Sequence, residues 1–374
     1  MEMIGIIFSN IYDNAMADLT YNRTVASLPF GGRYRQIDFV LSNMVNSGIS
    51  QIGIITKYNY QSLMDHLGSC SEWDLNSKNG GIYLLPPFVT GQAGVYRGKL
   101  EALHVALNFL SKRREEYVLL SDSTTICNID YDPFLEEHIA SGCDITVITH
   151  EFREEDKGAK HDLVLRADQS GTVTDMAVDL ESEQEDYLIG MGMFLMKREQ
   201  LIEVIKTSVA RDLHHFEREF MLRGFRMGKL SVHASKFNGV VLRNESVSVF
   251  FKNNLRLAEE KVRKDIFRSD RPIYTKVRDE IPSFYGKDSE VNNCIIADGC
   301  KIEGKVENAV LFRDVKVKKG SVVTNCVLMQ GTEIGENCTI DRVIMDKNVT
   351  VCNGVELKGA TTSPIVIKKG ETVE

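Results

Sequence analysis

The side chains best suited to chemistry in this chain sit in short basic stretches. Gly31-Gly32-Arg33-Tyr34-Arg35 sets two guanidiniums two residues apart behind paired glycines, and Tyr96-Arg97-Gly98 again puts an arginine beside a glycine. A guanidinium can grip phosphate or carboxylate through two parallel N–H donors, so an anion site is one reading. The other is a set of ion pairs pinning each loop to its neighbours or to a partner subunit. Metal chemistry finds less material. The eight cysteines, at 70, 127, 143, 294, 300, 326, 338 and 352, form no Cys-x-x-Cys pair, and no cysteine–histidine spacing fits zinc. Buried reduced thiols are expected. His214-His215 reads as a polar helix face, because adjacent helical residues do not converge on one ligand.

These residues need a scaffold. Met3–Phe8, Ile52–Thr56, Tyr117–Leu120 and Ile145–Thr149 read as short buried strands. Ile37, Val40, Leu41, Met44 and Val45 recur at helical spacing between the first two, with Ser47-Gly48 as a stop. Leu100, Leu103, Ala106, Leu107 and Leu110 do the same between the second and third. Such alternation predicts right-handed crossovers and a mostly parallel sheet, whose ligands bind at the strands' carboxyl ends. Alternation around Ser170-Gly171 predicts a hairpin, and a helix from about Val247 to Phe267 closes this part. Pro272 and Pro282 punctuate an extended linker.

Beyond Val291 the chain repeats. Val317, Ile334 and Val351 recur at a step of 17, as do Gly320, Asn337 and Gly354, and Val310, Val327 and Ile344. Apolar residues about six apart with small residues at corners predict a three-sided β-helix. A step of 17 is one short of three sixes, so one corner per coil should be tight. The domains expected are 1–267, an α/β domain, 268–290, a linker, and 291–374, the β-helix. With 43% hydrophobic residues the chain can bury ordinary cores, and its net charge of −8 offers no footprint for nucleic acid. Its apolar runs are too short for a bilayer and its N-terminus lacks a basic leader, so a cytoplasmic location is expected.

Five segments share one further property. PFGGRYRQIDFVLSNMVNSG from Pro29, VYRGKLEAL from Val95, GMGMFLM from Gly190, SVFFKNNLRL from Ser248 and PIYTKVRDEIP from Pro272 are collinear with motifs of one family. The chain resembles, over essentially its whole length, the ADP-glucose pyrophosphorylase (glucose-1-phosphate adenylyltransferase) family. That family carries W-Y-R-G-T-A-D-A, M-G-I-Y-V-F, A-Y-W-K-A-N-L-D-L and P-I-x-T-x-x-x-x-x-P in the same order. The resemblance implies a Rossmann-like nucleotidyltransferase domain followed by a left-handed parallel β-helix.

It also implies losses. Catalytic members have a phosphate loop G-G-x-G-x-R-L, whose bare backbone amides cradle a triphosphate. Here that stretch is SNIYDNAMADLT, Ser9 to Thr20, and Gly5 is the only glycine before Gly31. The two metal-binding aspartates of the family fall on Thr124 and near Arg243, neither of them a Mg²⁺ ligand. Asp122 is a weak catalytic candidate, alternatively a loop-capping aspartate. The family's K-R-A-K-P reads NRTVA, keeping Arg23 and replacing a lysine by Val25, and its sugar-phosphate lysine has no counterpart in Thr174 to Glu181. The resemblance leaves Arg23, Arg33, Arg35, Tyr96, Arg97 and Gly98 as a residual site for a sugar phosphate or nucleotide. Arg271 and Arg313 are effector candidates.

The implied role is the regulatory (GlgD-type) subunit in bacterial glycogen synthesis. It would bind no cofactor or metal itself, with Mg²⁺ at a catalytic partner subunit in a heterotetramer, or form a homodimer alone. The rivals are an active adenylyltransferase with rearranged metal ligands, a ligand-free scaffold and a β-helix acyltransferase. The last usually needs a histidine base beside its coils, and no histidine follows His233.

Overall fold

A computed structural model describes the chain apart from residues 1–2, 11–12, 58, 77–79, 88–95, 154–155, 158, 182–185 and 361–362. Its contacts gather into two units that interleave along the sequence. The first holds Met1–Ile11, Val40–Gln61 and Gly68–Val241, the second Tyr12–Phe39, Ser62–Leu67 and Leu242–Glu374.

The first unit is built on a nine-stranded sheet. Its centre is Met3–Phe8, parallel to Gln51–Ile55 on one side and to Tyr117–Asp122 on the other. All six residues of Met3–Phe8 and of Tyr117–Asp122 are buried, which is why these runs lack polar alternation. The register sets Phe8 level with Ile55 and Asp122, so three strands end together. Leu188–Lys197 runs antiparallel to Tyr117–Asp122 and carries a bulge between Gly190 and Met193. Val164–Ala167 and Val173–Ala177 form the expected hairpin about Ser170-Gly171. The helix read over Leu100 to Leu110 is three short pieces, Lys99–Leu103, His104–Ala106 and Leu107–Ser111, the middle one 3-10.

Gln36–Asn46 is the expected helix, and Gly48 ends it at φ +73, a conformation glycine adopts without strain. The helix expected from Val247 to Phe267 is two, Val247–Arg256 and Glu260–Ile266. Ser246 caps the first by accepting from Val249 N–H at 3.3 Å, while Leu257–Glu259 turns the chain so that Leu257, Val262 and Ile266 are all buried.

The C-terminal coils form three parallel sheets of six, five and five strands. Coil pairing starts at Phe284–Tyr285, ahead of Val291. Registers such as Val306↔Val323 and Val323↔Ile340 stack the 17-residue columns, and their side chains fill one apolar interior. The period is less even than the repeat suggests: Glu290 pairs with Lys305, and Val343 with Ile365. The tight corner is occupied in successive coils by Asn293, Asn308, Asn325 and Arg342, all left-handed with φ between 49° and 55°. Asparagine tolerates that conformation, and here its amides ladder between coils, Asn308 to Asn325 at 2.6 Å.

Candidate functional site

Two constellations collect the chemistry, one in each unit. In the first unit the strand ends Phe8 and Asp122 face the start of the helix Lys99–Leu103. Lys99 Nζ lies 2.5 Å from Glu217 and 3.3 Å from Asp122. The Phe8 and Phe194 rings lie 5.9 and 5.5 Å from the same ammonium, a cation–π frame around an ion pair. Burial alone would lower the Lys99 pKa, but Asp122 and Glu217 together outweigh it and hold the group above its ordinary value. The Asp122 side chain needs Gly192: at φ +71 a Cβ there would collide with its carboxylate.

Thr124, at the family's metal position, is fully buried, and its hydroxyl has no hydrogen-bond partner among the described residues. Arg243 pairs with Glu245 at 2.6 Å. Among the described residues no group of three or more His, Cys, Asp or Glu could hold a metal. A Mg²⁺ ion does not fit this donor set, because the Lys99 ammonium already sits on both carboxylates that could ligate it and would repel the ion. The phosphate-loop stretch falls partly outside the described residues. Asp13–Thr20 within it is a 3-10 helix with Met16 and Leu19 buried, and Asp13 accepts from Val25 N–H at 2.8 Å. Side chains therefore occupy backbone that a cradle would leave bare.

The second constellation lies wholly within the second unit and is organised by Asp38, in the first turn of Gln36–Asn46. Its carboxylate accepts from Arg35 N–H at 2.9 Å and Thr275 Oγ1 at 2.6 Å, and meets His66 Nε2 at 2.5 Å. One buried acid thus ties the glycine–arginine loop, the helix Gln61–Leu67 and the linker to one place. The linker then presents alternate residues: Lys276 donates to the Asp65 carbonyl at 2.5 Å and Arg278 to Gln330 Oε1 at 3.4 Å.

The result is a small, solvent-open pocket lined by Arg33, Arg35, Lys276, Arg278, Arg313 and Lys347, with His66 and no carboxylate among its lining residues. Arg313 is 7% exposed, and its Nε and Nη2 have no partner among the described residues. Burial, then Arg33 and Arg278, lower its pKa. Burial pushes Arg35 down to about 10, with Asp38 opposing and Arg23 and Arg278 adding. Lys347 falls to about 7, through burial and then Arg35 and Arg23. Buried cations crowded in this way are stabilised by an anion.

The arginines singled out by the sequence divide. Arg33, Arg35 and Arg313 meet in this pocket, while Arg271 is not among its lining residues. Arg23 is buried, pairs with Asp346 at 2.5 Å and is not among the lining residues of this pocket. Arg97 is exposed and shared between Glu101 and Asp212 at 3.3 and 3.2 Å. Tyr96 is half-buried, its hydroxyl has no partner among the described residues, and burial, then Glu101, raise its pKa. Gly98 permits close approach of the His214 carbonyl. His214-His215 is not on a helix face: both amides precede Phe216–Leu222 and donate to Glu219 at 2.5 and 2.7 Å. Lys99 and Glu217 were missed, although the charge at Lys99 in VYRGKLEAL stands where the family has threonine. Lys276 and Arg278 were legible only as alternate residues of an extended segment, and Lys347 had no signal outside its coil.

Comparison with known proteins agrees with this architecture. Residues 14–235 match the family described as nucleotidyl transferase, and residues 281–360 match the GlmU-like C-terminal hexapeptide family. The chain is 37% identical over 372 residues to "Glycogen biosynthesis protein GlgD" of Geobacillus stearothermophilus, and 33% over 370 residues to the protein of that name in Bacillus subtilis (strain 168). Each alignment covers 99% of this chain and 96% of the relative. It is 29% identical over 365 residues to a glucose-1-phosphate adenylyltransferase of Bacillus mycoides (strain KBAB4), covering 96% of this chain and 95% of that protein.

Proposed function

We propose, for a chain that belongs to the nucleotidyl transferase family and aligns end to end with GlgD proteins and glucose-1-phosphate adenylyltransferases, that it regulates a catalytic relative in glycogen biosynthesis without itself performing the reaction. The observation that carries this reading is the Lys99 ammonium between Asp122 and Glu217. Adenylyl transfer joins glucose 1-phosphate to the α-phosphorus of ATP and expels pyrophosphate. Charge accumulates on phosphorus oxygens, and a divalent ion with open coordination must meet it. A lysine ammonium seated between the available carboxylates occupies the place such an ion would need and repels it.

Regulation then runs through subunit contacts that differ between low- and high-activity states, with the arginine pocket as an anion sensor. A coupling of about 1–3 kcal/mol changes affinity or response by roughly 5–150-fold. The partner is a catalytic glucose-1-phosphate adenylyltransferase subunit, and the assembly a hetero-oligomer of cytoplasmic proteins, most simply a tetramer. Among the described residues no helix is long and apolar enough to cross a membrane.

Co-expression with a catalytic subunit from the same genome tests this. The complex's mass, its turnover and its response to phosphorylated sugars are compared with the catalytic subunit alone. A stoichiometric complex with unchanged kinetics refutes the reading. The buried Asp122 at a strand end favours one second reading, a competent enzyme with rearranged ligands. It requires Mg²⁺-dependent ADP-glucose formation by the chain alone, abolished by Asp122→Asn and little changed by Thr124→Val.

A further inference from the structure

The cationic pocket contains two amines, Lys276 and Lys347, that could change covalently. Lys347 Nζ has no hydrogen bond or ion pair among the described residues, and no acidic residue lines the pocket around it. The adjacent carboxylate, Asp346, is engaged by Arg23 and by the backbone N–H of Lys347 itself. Lys276, the other amine of the pocket, already donates to a backbone carbonyl. Arg313 meanwhile holds two guanidinium nitrogens without partners among the described residues. The structure thus combines an amine with nothing to hold its proton and buried donors with nothing to accept from them.

We propose that Lys347 is a carbamylation site, its amine adding dissolved CO2 to give a carbamate anion that the surrounding guanidiniums hold. The nitrogen lone pair bonds to the carbon of CO2, one C–O π pair moves onto oxygen, and an N–H proton leaves to water. No oxidant, metal or leaving group is needed. The product puts a negative charge in a pocket of five other basic side chains, where an anion is most favourable. Lys347 is also primed for the step: burial, Arg35 and Arg23 bring it to about 7. At pH 8 most of such an amine is unprotonated, against well under one in a hundred for an ordinary lysine. The inference needs only the pocket's charge set and not the regulatory role, so either can fail alone.

The experiment uses the full wild-type chain at pH 8 under ¹³C-bicarbonate, trapped with triethyloxonium and read by peptide mass spectrometry. Ethyl carbamate is expected on Lys347 at least tenfold above any other lysine, absent from Lys347→Arg, and reduced severalfold by saturating sulfate. Label missing from Lys347, or spread evenly over the lysines, overturns the proposal. So does Lys347 label indifferent to sulfate, because the carbamate would then not share the arginines.

Discussion

Replacing Lys99 by methionine keeps the stem and deletes the charge, leaving Asp122 and Glu217 facing one another. With an effective dielectric near 20, unit charges at 3.3 and 2.5 Å attract by about 5 and about 7 kcal/mol. Burying three ions offsets most of that, at several kcal/mol each, so the net contribution of the cluster is small. Removing its cation is a different matter, because Asp122, buried, and Glu217, partly buried, are left facing each other without the ammonium. The expected loss at pH 7.5 is about 3–5 kcal/mol. At roughly 2–4 °C per kcal/mol, the melting temperature of the first unit falls by about 6–20 °C.

The pH dependence identifies the cause. In the wild type the Lys99 pKa is held above its ordinary value. Its contribution is therefore complete below the ordinary lysine range, lost only as pH rises past it, and flat from pH 4.5 to 7.5. In Lys99→Met the two carboxylates oppose each other's ionisation, so the folded variant retains protons that the unfolded chain has released. Its deficit is smallest at pH 4.5 and grows towards pH 7.5. Urea and thermal unfolding at both pH values, with Lys99→Met/Asp122→Asn/Glu217→Gln as the compensated control, read this directly. A single variant that melts within about 2 °C of wild type at pH 7.5, or loses as much at pH 4.5, refutes the tethered-cation argument.

Three further outcomes are expected. Arg313→Gln should weaken sulfate or phosphate binding by about tenfold or more in titration calorimetry, the loss of a charge-assisted hydrogen bond, while leaving the apo protein as stable or more so because a like charge is gone. Arg23→Ala should destabilise the second unit by about 3–5 kcal/mol in denaturant unfolding, since it strands Asp346, and should change sulfate affinity less than twofold; the reverse pattern would make Arg23 a ligand. Sulfate binding should take up a proton on Lys347 and weaken as pH rises through about 7, measured by calorimetry in buffers of different ionisation heat. A pH-independent affinity between 6 and 9 would remove Lys347 from the site.

Met3–Phe8 and Tyr117–Leu120 could be read from the sequence because a strand buried on both faces is apolar along its run. The last two residues of the second strand, Ser121 and Asp122, are polar and fell outside that reading. The coils could be read because stacked rungs force the same side-chain volumes to recur at one step. Absent glycines and Thr124 were legible for a similar reason: a cradle or a metal ligand requires a residue type at a place in the chain. Tertiary structure alone decided where the charges went. Lys99 meets a glutamate 118 positions away, and Arg23 an aspartate 323 away. Pairing of that kind leaves no periodicity or local propensity, because electrostatic energy depends on distance through space and not along the chain. The same physics separated arginines of identical sequence appearance, closing Arg23 in an ion pair while Arg33, Arg35 and Arg313 gathered around a pocket with no carboxylate among its lining residues.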